Sequence, residues 1–151
     1  MTQSQEYKRR ILWIDDTFVN ELHELMAYED ELKYSGEIDI VKIAHVDKAL
    51  DILEKREETF ACIIIDIMMP YGKFTAKETE AGNKTGIVLA RKIHQIDKHK
   101  GVPIVLLTGV RLSLETLAQC KQEDLPCFFK ADVKPDDFLN EIKIFMGGRH
   151  E

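Results

Sequence analysis

No apolar run in this 151-residue chain approaches the roughly 20 residues that a bilayer span requires; the longest cover residues 61–65 and 104–107. Neither is N-terminal and the first ten residues are polar, so no secretory leader is expected. Cysteine is scarce. Cys62, Cys120 and Cys127 make an odd count with no CxxC pair, which reads as reduced core thiols in a cytoplasmic protein. Basic clusters are lacking too: the run Lys8-Arg9-Arg10 leads straight into an apolar strand and reads as a solvated strand edge. With a net charge of −6 and a pI near 5.4, a nucleic-acid surface is not expected. The five histidines are scattered without ligand spacing, and no repeat or low-complexity tract is present.

What is present is an ordinary globular composition, 44% hydrophobic and 32% charged, long enough to bury a core without staples. Two kinds of segment alternate along it. Residues 11–15, 38–44, 61–66, 103–108 and 127–130 read as strands. Between them, apolar residues recur at helical spacing. The first helix is expected to carry Phe18, Leu22, Leu25, Met26 and Leu32 on one face. The second has Ala49, Leu50 and Leu53, the third Ile87, Leu89, Ala90, Ile93 and Ile96. Leu114 and Leu117 mark the fourth; Phe138, Leu139, Ile142 and Phe145 mark the fifth. Ser113 followed by Thr116, and Pro135 followed by Asp136 and Asp137, read as helix starts, and Gly147-Gly148 as a helix end.

Five βα units in strict alternation predict a parallel sheet with helices on both faces, of the flavodoxin-like doubly wound kind with strand order 2-1-3-4-5. One domain over residues 8–147 is expected, with short polar termini at 1–7 and 148–151 and no output domain. The polar, glycine-bearing stretch 70–85 interrupts the rhythm. A loop of that length inside a small domain is usually functional or mobile.

Ligands of such sheets sit beyond the carboxyl ends of the strands. The residues there are Asp15 and Asp16 after the first strand, Asp66 after the third, Thr108-Gly109 at the fourth and Lys130 at the fifth. Three neighbouring carboxylates repel one another and call for a cation or a raised pKa. Short, hard oxygen ligands suit Mg²⁺, which leaves Thr108 and Lys130 free to hold an anion such as a phosphoryl group. Asp15-Asp16 as a helix cap and Thr108-Gly109 as a turn are the plainer readings of the same residues. Lys134, followed by Pro135, is a rival to Lys130.

The ordered motifs Ile11-Leu12-Trp13-Ile14-Asp15-Asp16, Ile64-Ile65-Asp66-Ile67-Met68-Met69-Pro70, Val105-Leu106-Leu107-Thr108-Gly109 and Cys127-Phe128-Phe129-Lys130 resemble the receiver domain of bacterial response regulators over nearly the whole chain. The resemblance implies Asp66 as phosphoacceptor, Asp16 as a direct Mg²⁺ ligand and Asp15 acting mainly through water. The backbone carbonyl of Met68 would complete the metal site. Lys130 would pair with the carboxylate and then with the phosphoryl group, which Thr108 also contacts. It further implies a histidine kinase or phosphotransfer protein as donor, a downstream protein partner and a possible homodimer. The usual signalling face would here include Arg111, Glu115, Lys121, Phe129 and Lys143.

Three positions depart from the family. Ala131 stands where proline is usual, Cys127 where many members carry a switching Tyr or Phe, and the 70–85 loop is about a dozen residues longer than usual. A phosphorylation-independent pseudo-receiver is therefore one alternative. A haloacid-dehalogenase-type phosphatase is the other; that family carries a second Asp two residues after its nucleophile, where this chain has Met68.

Overall fold

The computed structural model describes residues 9–20, 22–55 and 59–147; Lys8, Gly148 and the expected polar termini lie outside the described residues. Its strands are β1 (Arg9–Ile14), β2 (Ile38–Ile43), β3 (Cys62–Ile65), β4 (Ile104–Thr108) and β5 (Cys127–Phe129). They form one sheet in the order β2-β1-β3-β4-β5, with every pairing parallel, as the alternation predicts. The helices are α1 (Met26–Tyr34), α2 (Val46–Lys55), α3 (Thr85–His94), α4 (Leu114–Gln122) and α5 (Pro135–Phe145).

Side chains alternate across a strand, so the apolar runs feed two cores. Leu12, Ile14, Ile63, Ile65, Ile104 and Leu106 point to one face, where Ala49 and Leu53 of α2, Ile87 and Ile93 of α3 and Cys120 of α4 cover them. Ile11, Trp13, Cys62, Ile64, Val105 and Leu107 point to the other, under Leu25, Leu32 and Tyr28 from the α1 side and Phe138 and Ile142 of α5. Both faces of the central strands are thereby closed to water.

Two expectations about helices are corrected. The first helix begins at Met26, not near Phe18; Asp16–Val19 forms a separate 3₁₀ turn. Phe18 is anchored from that turn by edge-on packing against Trp13 at 5.3 Å and His23 at 5.0 Å. His23 takes the inward place and accepts the Leu25 N–H through Nδ1, while Leu22 is 81% exposed. The fourth helix buries Thr116 and Cys120, whereas Leu114 and Leu117 face outward. Two leucines three apart mark a helix face without saying which side the sheet is on.

Helix starts elsewhere follow local chemistry. Ser113 Oγ accepts the Thr116 N–H at 3.1 Å, and Pro135 opens α5 with Asp136 and Asp137 in its first turn. Gly86, at the start of α3, is there for space: an added Cβ would lie 2.1 Å from the backbone oxygen of Asp66. Glycine alone lets α3 approach the end of β3 this closely.

The 70–85 stretch is a run of turns tied down at several points. Thr85 Oγ1 donates to the Met69 carbonyl at 2.7 Å, and Met69 N–H donates to Gly82 O at 3.3 Å. Asp47 of α2 accepts the Lys73 N–H at 2.9 Å. Thr75 and Glu78 cap each other reciprocally. Glu80, Ala81 and Gly82 all have positive φ, and Gly82 best tolerates it.

Candidate phosphoacceptor site

Each predicted strand ends one residue early, except β4, so Asp15, Asp66 and Lys130 stand just beyond their strands. Backbone bonds from Asp15 N to Ile43 O and from Asp66 N to Ile14 O (3.0 Å each) continue the sheet ladder into that edge. Lys130 N donates to Thr108 O at 2.8 Å, which hitches the lysine to the end of β4.

Asp15, Asp16 and Asp66 converge there. Each offers a carboxylate oxygen, and these atoms all lie within 4.8 Å of one another. Asp15 and Asp66 are buried and Asp16 is half-buried. Burial, then the charge of Asp15, pushes the Asp66 carboxyl up to about 7, with Lys130 acting in the opposite sense. The same two causes raise Asp16. Asp66 Oδ1 is buried and has no hydrogen-bond partner. An orphaned carboxylate oxygen inside a ring of acids is unfavourable unless a cation joins it or the group keeps its proton. The donor set is all oxygen, so it fits Mg²⁺.

Asp15 serves two purposes. One oxygen, Oδ1, caps the 3₁₀ turn by accepting the Thr17 N–H at 3.0 Å; the other, Oδ2, lies 3.3 Å from Lys130 Nζ. The capping reading of this residue therefore holds together with its place in the pocket. Lys130, and not Lys134, is the lysine that reaches the acids, since Lys134 is exposed at the start of α5. Burial disfavours its charge, but Asp15, Asp66 and Glu24 together outweigh burial and its pKa rises, so the ammonium persists at neutral pH.

Thr108 is buried at the end of β4, and its hydroxyl oxygen accepts the Val110 N–H at 3.3 Å. That is the turn role weighed above, and it still leaves the hydroxyl proton to donate. Met68, two residues past Asp66, has its side chain at the surface. Cys127 is half-buried, and its thiol is pushed up to about 12 by burial first. It is protonated and unreactive near neutral pH.

Sequence reasoning missed two residues. Glu24 Oε2 lies 3.0 Å from Lys130 Nζ, and the Tyr28 hydroxyl is 2.7 Å from the carbonyl oxygens of both Lys130 and Val133. Their partners are more than 100 positions away in the chain, and no local pattern announces such a pairing.

No protein-family model matches the sequence, and no curated protein does. Solved structures do match. A CheY-like response regulator receiver domain protein from Methanospirillum hungatei is 23% identical, with a TM-score of 0.68 over 93% of this chain and 94% of that one. A response regulator from Desulfuromonas acetoxidans is 18% identical, with a TM-score of 0.69 over 94% and 99%. The chemotaxis protein CheY4 of Vibrio cholerae is 18% identical, with a TM-score of 0.66 over 91% and 98%. Near-complete coverage in both directions establishes that this chain has the response-regulator receiver fold.

Proposed function

We propose that the chain is a phosphoacceptor module of two-component or phosphorelay signalling, modified on Asp66. The observation that carries this reading is the unpartnered Asp66 Oδ1 among Asp15, Asp16 and Lys130 at the carboxyl edge of the sheet. Asp15, Asp16 and Asp66, with the Met68 backbone carbonyl, would hold Mg²⁺. When bound, the ion supplies positive charge against the carboxylates and the incoming phosphoryl oxygens.

The residues divide the remaining work. An Asp66 carboxylate oxygen attacks phosphorus; the new O–P bond forms as the bond to the donor's nitrogen or acyl oxygen breaks, and the leaving group departs with that electron pair. Lys130 offers its ammonium to a phosphoryl oxygen and Thr108 its hydroxyl proton to another. Burial of Asp15 and Asp66 makes these charge interactions stronger than they would be in water.

Donor and output are protein contacts in this reading. A histidine kinase or phosphotransfer protein supplies the group, and a downstream protein or a second copy of the chain receives the signal; nucleic acid is not a partner. Exposed Val110, Leu114 and Leu117 support an output surface at α4 and β5. A groove of about 510 Å³ beside them is lined by Arg111, Phe128, Phe129 and Val133. Residues 8–147 would form the working domain. Among the described residues, no helix is long and apolar enough to cross a membrane.

Incubation with acetyl phosphate and Mg²⁺ followed by intact-mass analysis tests the reading. One added phosphoryl mass, absent with EDTA and from Asp66→Asn, is expected. No adduct on the wild-type protein, together with no binding of beryllofluoride, would favour a phosphorylation-independent binding module instead.

A further inference from the structure

Lys130 spends its side-chain hydrogen bonds on acids other than the one it is expected to serve. Its side chain is 12% exposed, and Nζ lies 3.3 Å from Asp15 Oδ2 and 3.0 Å from Glu24 Oε2. No hydrogen bond joins it to Asp66, whose buried Oδ1 has no partner. Glu24 differs from the pocket acids: it sits in the turn before α1 with a 61% exposed side chain and reaches the ammonium from the solvent side.

We propose that Glu24 is a positioning residue that draws Lys130 toward solvent and so slows phosphoryl uptake by Asp66. The proposal rests on the phosphoacceptor reading above. Asp15 and Glu24 take two of the three ammonium protons, and turning Nζ toward a phosphoryl oxygen on Asp66 stretches its contact with Glu24. The Glu24 carboxylate is then less well paired, close to a group bringing further negative charge. Both consequences act against transfer. Because Glu24 is largely exposed, water screens the pair, and the penalty is small enough to be crossed at working rates.

Three proteins test this: wild type, Glu24→Gln, and Glu24→Asp, which keeps the charge on a side chain one methylene shorter. Phosphorylation by acetyl phosphate at saturating Mg²⁺ is followed by intact mass, and beryllofluoride affinity by ¹⁹F NMR. Glu24→Gln is expected to take up the phosphoryl group about two- to fivefold faster and to bind beryllofluoride correspondingly tighter. Its urea midpoint should not move, which separates positioning from a structural role. Glu24→Asp should follow Glu24→Gln if contact with Lys130 matters. A Glu24→Gln rate at or below wild type, or a Glu24→Asp rate equal to wild type, would overturn the proposal while leaving the phosphoacceptor reading intact. Wild-type protein that takes up no phosphoryl group would overturn both.

Discussion

The hydroxyl of Tyr28 lies 2.7 Å from the main-chain oxygen of Lys130 and 2.7 Å from that of Val133, so one side chain of α1 pins both sides of the β5–α5 turn. The turn carries Ala131 between them, a residue with little stiffness of its own. The tyrosine ring is held in turn by edge-on packing against Phe138 at 5.7 Å. Helix α1 thus fixes the backbone from which Lys130 reaches the acids.

Removing that hydroxyl should therefore loosen the turn without emptying the core. Tyr28→Phe keeps the ring and removes the single hydroxyl proton that the two carbonyls share, a loss of about 1–3 kcal/mol. Urea unfolding is expected to show this as a lower midpoint with an unchanged slope. Phosphorylation of Asp66 should slow as well, since Lys130 no longer starts from a fixed backbone.

The pH dependence of stability has a definite sign. Unfolded, the Asp66 carboxyl titrates near its ordinary value of 3.8; folded and metal-free, burial and then Asp15 push it up to about 7. Between these values the folded chain holds a proton that the unfolded chain has released, so this group's contribution to stability falls as pH rises through that window. Asp66→Asn removes the effect. In EDTA the variant should melt above wild type at pH 8, by on the order of 2–4 kcal/mol of stability, and the gap should close toward pH 4. Equal melting temperatures at pH 8 would mean that the carboxylate is not strained in the folded protein.

Gly86→Ala should be among the most damaging single changes. The new methyl would sit 2.1 Å from Asp66 O and 2.8 Å from Ile67 Cα, both backbone atoms with nowhere to go. Either α3 shifts or the end of β3 does, at a cost of roughly 3 kcal/mol or more. Circular dichroism on soluble protein would register a markedly lower midpoint.

The 70–85 stretch should lose its latch when Thr85 loses its hydroxyl. Thr85→Val is close in volume but cannot donate to Met69 O. Since the group is fully buried, about 1–3 kcal/mol of stability should go with it. Trypsin cleavage at the exposed Lys73 and Lys77 is expected to accelerate in the variant, with sites elsewhere cut as before.

How far the sequence could be read depended on where the determining contacts lie. The strands were legible because continuous apolar runs such as 61–65 suit strands covered on both faces, and the acids that end them mark the carboxyl edge. Asp15, Asp16, Asp66, Thr108 and Lys130 could be gathered from that rule alone. The first helix was misread because Phe18 and Leu22 satisfy a helical spacing, yet Phe18 is spent on Trp13 and His23. The order in the 70–85 loop was hidden because it depends on Asp47, Met69 and Thr85, contacts made across the fold. Glu24 and Tyr28 were hidden for the same reason.

Borohydride trapping tests the central claim most directly. Reduction converts an aspartyl phosphate to homoserine, and peptide sequencing by mass spectrometry then reports the modified position. After acetyl phosphate and Mg²⁺, homoserine is expected at position 66 and at no other aspartate. Homoserine at Asp15 or Asp16 with position 66 unchanged, or none anywhere, would contradict the assignment of Asp66 as the phosphoacceptor.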